Sequence, residues 1–252
     1  MAVAIYDEYL ARINALVSRI AEEERDSILR AAVAVADRVA DDRLVNVIGP
    51  GGHSSMGAEE VFYRAGGLAC VNALLDDGFL LAHGAVRSML VERTPGYGRT
   101  VLRNANLAGG DILIIVNAYG VNSSTIDCAL YARELGVTTI GVTSIELQRA
   151  LPQGHAARHP AGQDLTDLVD ITIDTKVPVG DALMEVDGIA ERVGAVSTFA
   201  NSFALNALML EAIAELARRK FDPPIWRSAN SPGGDEANQA AIARYRPRVK
   251  RL

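Results

Sequence analysis

The sequence predicts an α/β fold, a three-layer α/β/α sandwich built around a parallel sheet. Five short apolar runs have the composition of strands that are buried on both faces. They span residues 44–48, 68–75, 112–116, 137–142 and 168–173. Helical segments at 54–65, 97–107 and 123–135 separate them. Strand–helix alternation of this kind gives a parallel sheet with helices on both faces, and ligands bind beyond the carboxyl ends of its strands.

Size, charge and composition narrow the class of protein. The chain has 252 residues, of which 49% are hydrophobic, enough for one sizeable core. A formal net charge of -6 argues against extended contact with nucleic acid. No run approaches the roughly 20 apolar residues that cross a bilayer, and charged residues in the first dozen positions are unlike a signal peptide. We expect a cytoplasmic protein without a nucleic-acid or membrane partner.

Helical segments flank the predicted sheet, and we expect residues 1–252 to form a single domain. Residues 1–40 show helical spacing that fits two helices or one bent helix, before the α/β core at 44–175. A DNA-binding helix-turn-helix is an alternative for this segment, although it has few basic residues and no turn glycine. A helix at about 195–219, within a C-terminal part at 195–252, is apolar nearly all round, which predicts packing at a subunit interface.

The first chemistry-bearing stretch is a glycine-rich turn that follows the first predicted strand. Gly51, Gly52, His53, Ser54 and Ser55 lead directly into a helix. The first amide N–H groups of a helix have no partner within it, so this turn predicts an anion site, with phosphate as the natural guest. The alternative is an ordinary strand–helix turn in which a serine caps the helix and no ligand binds.

A dinucleotide site is a further alternative for the same turn. The glycines at 49, 51, 52 and 57, with Asp76 and Asp77 after the next strand, resemble a loose Rossmann arrangement. The motif requires a third glycine at position 54, however, and this chain has Ser54. We therefore expect no nicotinamide and no other cofactor.

A second turn, after the third predicted strand, repeats the pattern. Asn117, Tyr119, Asn122, Ser123 and Ser124 surround Gly120 at the start of a helix. In a doubly wound sheet, two neighbouring turns of this type face one crevice. The two helix N-termini then form a phosphate clamp. Capping of the helix by Asn122 or Ser123 is the alternative that needs no ligand.

The two turns together resemble the sugar isomerase (SIS) phosphosugar-binding domain family. Residues 48–54, 117–126 and 138–144 carry the likeness. Four further stretches resemble a small group of stand-alone SIS proteins with little assigned function. They are 52–55 with 59–67, 158–162, 177–182 and 227–236. The resemblance implies a five-stranded parallel sheet of flavodoxin-like topology, a homodimer or homotetramer, and a phosphosugar ligand. SIS domains usually have serines in the second turn, where this chain has Asn117, Tyr119 and Asn122.

An aldose–ketose isomerase needs a group that moves a proton between two adjacent carbons of the sugar. Glu92, in a predicted loop after the second strand, resembles in position the catalytic glutamate of the isomerase domain of glucosamine-6-phosphate synthase and of N-acetylmuramic acid 6-phosphate etherases. Glu59 and Glu60 are alternatives on the helix after the first turn, as the base of phosphoheptose isomerase is. Consecutive helical residues point about 100° apart, so only one of these two can face the site.

The histidines and the C-terminal tail supply the remaining candidates. His53, His83 and His159 are candidates for ring opening near neutral pH. A zinc site from His155 and His159 is possible by spacing, but no matching cysteine or carboxylate motif accompanies it, so we expect no metal. The tail offers Arg227 and Asn230, either as a lid over a site or as a capped turn into a last helix that ends near Tyr245.

These observations favour an enzyme that isomerises a phosphorylated or otherwise anionic sugar through an enediol. Ser54, Ser55, Asn122, Ser123 and Ser124 would hold the anion, and Glu92 or Glu60 would move the proton. A non-catalytic phosphosugar sensor and an etherase-type carbon–oxygen lyase acting on an amino sugar phosphate remain the alternatives.

Overall fold

A computed structural model describes residues 4–252 and contains the predicted parallel sheet. Its strands lie in the order β2-β1-β3-β4-β5, and every neighbouring pair is parallel. The strand bounds are β1 (Val45–Ile48), β2 (Val71–Ala73), β3 (Ile112–Val116), β4 (Thr138–Thr143) and β5 (Ile171–Asp174). A separate antiparallel hairpin pairs β6 (Ala182–Met184) with β7 (Val193–Ala195).

Helices surround the sheet. Their bounds are α1 (Ile5–Glu23), α2 (Arg25–Ala40), α3 (Gly52–Val61), α4 (Ala85–Glu92), α5 (Tyr97–Arg103), α6 (Ser123–Leu135), α7 (Ile145–Ala150), α8 (Ser197–Arg218) and α9 (Gly234–Tyr245). Within residues 4–252, none of them is both long and apolar enough to cross a membrane.

Alternate strand residues point into two separate hydrophobic cores, as the pleat of a strand requires. On one face, Val45, Val47 and Ile114 pack with residues of α2, α3 and α8. On the other face, Ile48 and Leu113 pack with residues of α5 and α6. Cys70 and Cys128, expected to be buried free thiols, lie one in each core. The predicted three-layer α/β/α architecture is confirmed.

The sequence missed several short elements, and α4 matters most for the site. Glu92 was expected in a loop, but it is the last residue of this helix. Val86, Met89 and Leu90 of α4 stand at helical spacing, but the helix has only 8 residues, a length at which periodicity is a weak signal, and these three side chains are exposed. The hairpin β6–β7 and the six-residue α7 were missed because neither is long enough to show a clear period.

Some element boundaries also differ from the prediction. The second strand was expected at 68–75 but is only Val71–Ala73, because the preceding residues pair instead with the C-terminal tail. Leu68 forms an antiparallel bridge with Ile225, and the Ala69 N–H donates to the Pro224 carbonyl. The third helix begins at Gly52 and ends at Val61, and the helix expected at 97–107 ends at Arg103. The sheet is unaffected by these shifts.

The N-terminal segment forms two helices, α1 and α2, which meet at Glu24. The segment is therefore two helices and not one bent helix. Residues 1–3 of the predicted segment lie outside the described residues. Helix α8 packs along α2 and also touches α1 and α3, so this chain itself covers much of the helix's apolar surface. Phe199 and Leu210 of α8 are nevertheless exposed, and their burial at a subunit interface stays a prediction.

A buried ion network ties the junction of α1 and α2 to the end of β5. The Lys176 ammonium lies 2.7 Å from a Glu24 carboxylate oxygen and 3.0 Å from one of Asp174. The Asp174 N–H also donates to Glu24 at 3.2 Å. Burial by itself lowers the pKa of Lys176, but hydrogen bonds to Glu24, Asp174 and Glu23 outweigh it and raise the pKa. The N-terminal helices are therefore fixed to the sheet by charge as well as by apolar packing.

We predict that Lys176→Met lowers the free energy of unfolding by about 3 kcal/mol or more, because it leaves two buried carboxylates without their cation. Urea unfolding at pH 7 measures the loss. The control is Glu8→Gln, which breaks the exposed pair of Glu8 with Arg12 and should change the stability by less than about 0.5 kcal/mol. Equal small losses in both variants would contradict a buried network.

Candidate functional site

The candidate site lies where the strand order of the sheet reverses. From β1 the chain crosses to the edge strand β2, and from β3 it crosses the other way to β4 and β5. The carboxyl ends of β1 and β3 are therefore neighbours at a topological switch point, the usual ligand site of an open α/β sheet. Both of the glycine-containing turns identified in the sequence begin there.

The first turn folds back tightly from β1 into α3. A side chain at Gly49 would collide with the carbonyl oxygen of Ser54, so the start of the helix lies directly over the end of the strand. The Gly51 N–H donates to the Gly49 carbonyl at 2.9 Å. The amide groups of residues 52–54 form no hydrogen bond with an acceptor in the described part of the chain. They are the free donors of a helix N-terminus.

Asn117, at the end of β3, joins the second turn to the first. Its side-chain amide nitrogen donates to the Ser54 hydroxyl at 3.2 Å and to the Pro50 carbonyl at 3.3 Å. Its side-chain oxygen accepts the amide N–H groups of Tyr119 at 3.1 Å and Gly120 at 2.8 Å. One buried amide therefore shapes its own turn and holds it against the neighbouring one.

A cleft of about 330 Å³ opens above the two turns. The residues that line it come from α3, α4, α8 and the segments between strands and helices. They are Gly52, His53, Ser54, Leu81, Ala85, Ser88, Met89, Glu92, Asn117, Ala118, Tyr119, Asn122, Asp181, Ser197 and Asn201. This volume is at the small end of the usual range for ligand sites, so it suits a small metabolite.

The Glu92 carboxyl lies in this cleft and is partly shielded from water. Its carboxylate lies so close to the Gly51 backbone that a side chain at Gly51 would collide with it. Burial raises the pKa of Glu92 to about 7, against its ordinary 4.5, while the charge of Arg93 acts in the opposite direction. A carboxylate with a pKa near neutrality can both accept and return a proton.

Seven of the seventeen site residues predicted from the sequence line the cleft. They are Gly52, His53, Ser54, Glu92, Asn117, Tyr119 and Asn122, and the Gly51 backbone lies against the Glu92 carboxylate. His53 is exposed at the opening and Tyr119 is half-buried. Burial, and then the charge of Asp181, raise the pKa of Tyr119, so its hydroxyl is neutral at pH 7.

Three predicted serines do not line the cleft. The Ser55 hydroxyl donates to the Gly52 carbonyl at 2.7 Å, inside the first turn of α3. The Ser124 hydroxyl donates to the Val91 carbonyl at 3.0 Å, in the last turn of α4. Ser123 is buried beside Ser124. The sequence identifies hydroxyls at a helix start but not the acceptors that the fold places next to them.

Glu59 and Glu60 do not line the cleft either. Glu59 is exposed, and Glu60 faces α8, where the Asn206 side chain donates to it at 3.3 Å. Glu60 also lies 3.4 Å from Arg64 on its own helix. The amides of the first turn point along the axis of α3 to the cleft, whereas both glutamates lie two turns further along the helix and face elsewhere.

The other histidines and the tail residues lie outside the cleft. His83 is exposed in a short 3-10 turn before α4. The His159 ring lies 3.4 Å from Asp127, on the far side of α6's first turn, and His155 is bound to the Ala157 amide. Within residues 4–252, no group of three or more histidine, cysteine or acidic side chains is placed to hold a metal.

Arg227 and Asn230 are exposed on the turn that leads into α9. The Arg227 backbone exchanges two hydrogen bonds with the Asn238 side chain, at 2.9 and 2.8 Å. The last helix ends at Tyr245, as the capped-turn alternative predicted. This chain's tail does not form a lid over its own cleft, because the segment before α9 is paired alongside Leu68 and Ala69.

Sequence reasoning missed the wall opposite the glycine turns. Asp181 accepts the Ser197 N–H and hydroxyl, each at 2.7 Å, and Asn201 follows one turn later on α8. The Asn201 side-chain oxygen is buried without a partner in the described residues. Asp181 lies in the stretch 177–182, which carries part of the family resemblance, and this is the sequence signal that could have pointed to it.

A second cleft, of about 500 Å³, lies beside Arg19, Arg149 and Lys176. Lys176 is already paired with Glu24 and Asp174, and no free helix N-terminus from a glycine turn reaches this part of the described structure. We therefore take the cleft at the switch point as the candidate site, although the second cleft is larger.

The acidic residues of the Rossmann alternative have structural partners. Asp76 accepts the Gly78 N–H at 2.8 Å and the Tyr97 hydroxyl at 2.7 Å. Asp77 binds Arg251 of the C-terminal tail at 2.9 Å. Both carboxylates are thus engaged within this chain, at the position where a dinucleotide site needs one for a ribose.

Comparison with known protein folds agrees with the observed topology. The structure of a phosphoheptose isomerase from Francisella tularensis matches with a TM-score of 0.53 at 16% identity, covering 82% of this chain and 95% of that one. The NanR protein of Vibrio vulnificus, solved in complex with ManNAc-6P, matches with a TM-score of 0.50 at 13% identity, covering 97% and 69%. At such identities the likeness concerns the fold alone.

Sequence comparisons identify the family. The family model described as SIS domain matches residues 8–144. A UPF0309 protein of Brucella anthropi is 38% identical over 247 residues, covering 98% of this chain and 97% of its own. A UPF0309 protein of Geobacillus thermodenitrificans is 35% identical over 243 residues, covering 96% of each. The chain therefore belongs to the SIS domain family, together with these UPF0309 proteins.

Proposed function

We propose that this protein binds a phosphorylated sugar in the switch-point cleft and interconverts its aldose and ketose forms. The observation that carries the proposal is the Glu92 carboxyl, half-buried, with a pKa of about 7, in the same cleft as a free helix N-terminus. The pairing supplies what an enediol mechanism requires, an anchor for the anion and a proton carrier near the sugar's carbonyl end.

The proposed anchor consists of hydrogen-bond donors that have no acceptor in the described residues. The amides of residues 52–54 and the Ser54 hydroxyl point to one end of the cleft, where the positive end of the α3 dipole adds to them. Ser54 already accepts a hydrogen bond from Asn117, so its own proton is available for an anion. Asn122, which lines the cleft at the start of α6, adds a second helix N-terminus.

The proton carrier acts on two adjacent carbons. Glu92, as the carboxylate, removes the proton from the carbon beside the carbonyl, and the electron pair forms the carbon–carbon double bond of the enediol while the carbonyl oxygen is protonated. The other oxygen then gives up its proton, and Glu92 returns its own to the neighbouring carbon. His53, exposed at the cleft, is the group we assign to proton transfer between the two oxygens.

A phosphosugar sensor is the second candidate, and one observation favours it. The other acidic residue of the cleft, Asp181, is held by Ser197, so the isomerase mechanism depends on the exposed His53 for its second proton transfer, whereas binding alone does not. The NanR protein, which shares the fold, was solved with ManNAc-6P bound. A sensor would bind the same ligand class through the same anion anchor without exchanging a carbon-bound proton.

We predict that Glu92→Gln keeps ligand-induced thermal stabilisation and loses at least about 100-fold of hydrogen exchange, the usual contribution of a general base. The measurement is solvent deuterium uptake at the carbon beside the carbonyl, by NMR, for each sugar phosphate that stabilises the wild type. Glu60→Gln tests the rival candidate in parallel. Exchange that survives in the first variant and disappears in the second would move the base to α3.

The rate of exchange should depend on pH through Glu92. The pKa of this carboxyl is raised, so the active carboxylate forms only as the pH passes about 7, and the rate should rise to a plateau above that value. A profile from pH 5 to 9, taken with a stabilising sugar phosphate, measures the midpoint. A midpoint near the ordinary 4.5 would contradict a desolvated Glu92 in the working protein.

Two adjacent serines test the anion anchor. We predict that Ser54→Ala weakens the binding of inorganic phosphate about 10-fold, because it removes one charge-assisted hydrogen bond. Ser55→Ala is the matched control and should leave the affinity unchanged, since its hydroxyl is bound to the Gly52 carbonyl. Isothermal titration calorimetry measures both. Unchanged affinity in Ser54→Ala, or equal loss in the control, would rule out Ser54 as an anion ligand.

A further inference from the structure

One face of α6 contacts the backbone at Val91 and at Gly96, on either side of Glu92 in the chain. Ser124 and Asp127 are three residues apart on this helix, so their side chains lie on the same side. Ser124 contacts the end of α4, and Asp127 contacts the start of α5. Glu92 is the last residue of α4, and only residues 93–96 separate it from α5.

The contact from Ser124 fixes the end of α4. Its hydroxyl donates to the carbonyl of Val91, the residue before Glu92, at 3.0 Å. The last carbonyls of a helix lack partners within the helix, and this carbonyl is satisfied from α6 and by the Thr94 N–H at 3.0 Å. The donor that the sequence assigned to a phosphate is used instead to hold the backbone of the proposed base.

The contact from Asp127 fixes the start of α5. Its carboxylate accepts the Gly96 N–H at 2.6 Å, and Gly96 is the capping residue of α5. A carboxylate at this place interacts favourably with the helix dipole. The two helices touch closely here, because a side chain at Gly98 would collide with the Ser124 carbonyl oxygen.

His159 supports Asp127 from behind. The His159 backbone N–H donates to the Val121 carbonyl at 2.8 Å, and one ring nitrogen accepts the Ala161 N–H at 3.0 Å. The remaining ring nitrogen lies 3.4 Å from the other Asp127 oxygen. Since the first ring nitrogen is an acceptor, the proton of the neutral ring is on the nitrogen that faces Asp127.

We propose that Ser124, Asp127 and His159 are positioning residues that hold the Glu92 carboxyl in its desolvated place against Gly51. The proposal rests on the role proposed above for Glu92. It explains why Ser124 and Asp127, in the first turns of α6, and His159, which lies against Asp127, are placed together without lining the cleft. It also assigns to His159 a task other than the ring opening that the sequence suggested for it.

The experiment measures the pKa of Glu92 directly, so that it does not depend on activity. Glutamate labelled with carbon-13 at the carboxyl is followed by NMR from pH 4 to 9, and the Glu92 resonance is assigned by its absence in Glu92→Gln. We expect about 7 in the wild type. In Ser124→Ala and Asp127→Asn the value should fall to about 6 or below, because a loosened turn lets water reach the carboxylate.

Two further readouts accompany the titration in the same variants. Deuterium exchange should fall about 10- to 100-fold, the effect of a small misplacement of a reacting group. Affinity for inorganic phosphate should stay within about 2-fold of the wild type, since neither side chain lines the cleft. Glu134→Gln, which breaks an exposed α6–α5 pair with Arg99, is the control and should leave all three readouts unchanged.

The outcomes separate this proposal from the proposed function. A folded Ser124→Ala protein with an unchanged Glu92 pKa and unchanged exchange would overturn the positioning role. The same holds if that variant loses phosphate affinity alone, which would make Ser124 an anion ligand. A shifted Glu92 pKa in a protein that exchanges no sugar phosphate would support the positioning role and reject the isomerase. Ser124→Ala removes one hydroxyl and no charge, so it serves if Asp127→Asn does not fold.

Discussion

The pairing of β1 with β3 is the constraint on which the site depends. It places the ends of the two strands side by side, and Asn117 then bridges the two turns through Ser54 and Pro50. An amide is suited to this task because it donates to one turn while accepting two backbone N–H groups of the other. The free amides at the start of α3 and the cleft above them follow from this arrangement.

Hydroxyls that look equivalent in the sequence have different uses, and the difference follows from which acceptors are nearby. Ser54 accepts from Asn117 and its own proton has no acceptor in the described residues, whereas Ser55 and Ser124 donate to backbone carbonyls. A buried hydroxyl is generally satisfied by the protein, so only the hydroxyl with a spare donor is available for recognition.

Glu92 depends on packing that is distributed over several elements. It lies against a glycine of the first turn, at the end of a helix with an exposed apolar face, beside backbone held from α6. Removing water from a carboxylate costs free energy. Because no ion pair in the described residues offsets this cost at Glu92, its pKa is raised. A carboxylate with a raised pKa is therefore a property of the whole arrangement.

The sequence by itself determined the parallel sheet, the order of its strands along the chain and the two glycine turns, because each depends on short-range patterns of apolar residues, glycine and helix caps. It also indicated Glu92, but by resemblance and not by its surroundings. Only the tertiary structure decided that Glu60 faces α8 and that His159 lies behind α6. It alone added Asp181 and Asn201 to the cleft. Helix rotation and contacts between distant segments decide such matters, and neither leaves a periodic pattern in the sequence.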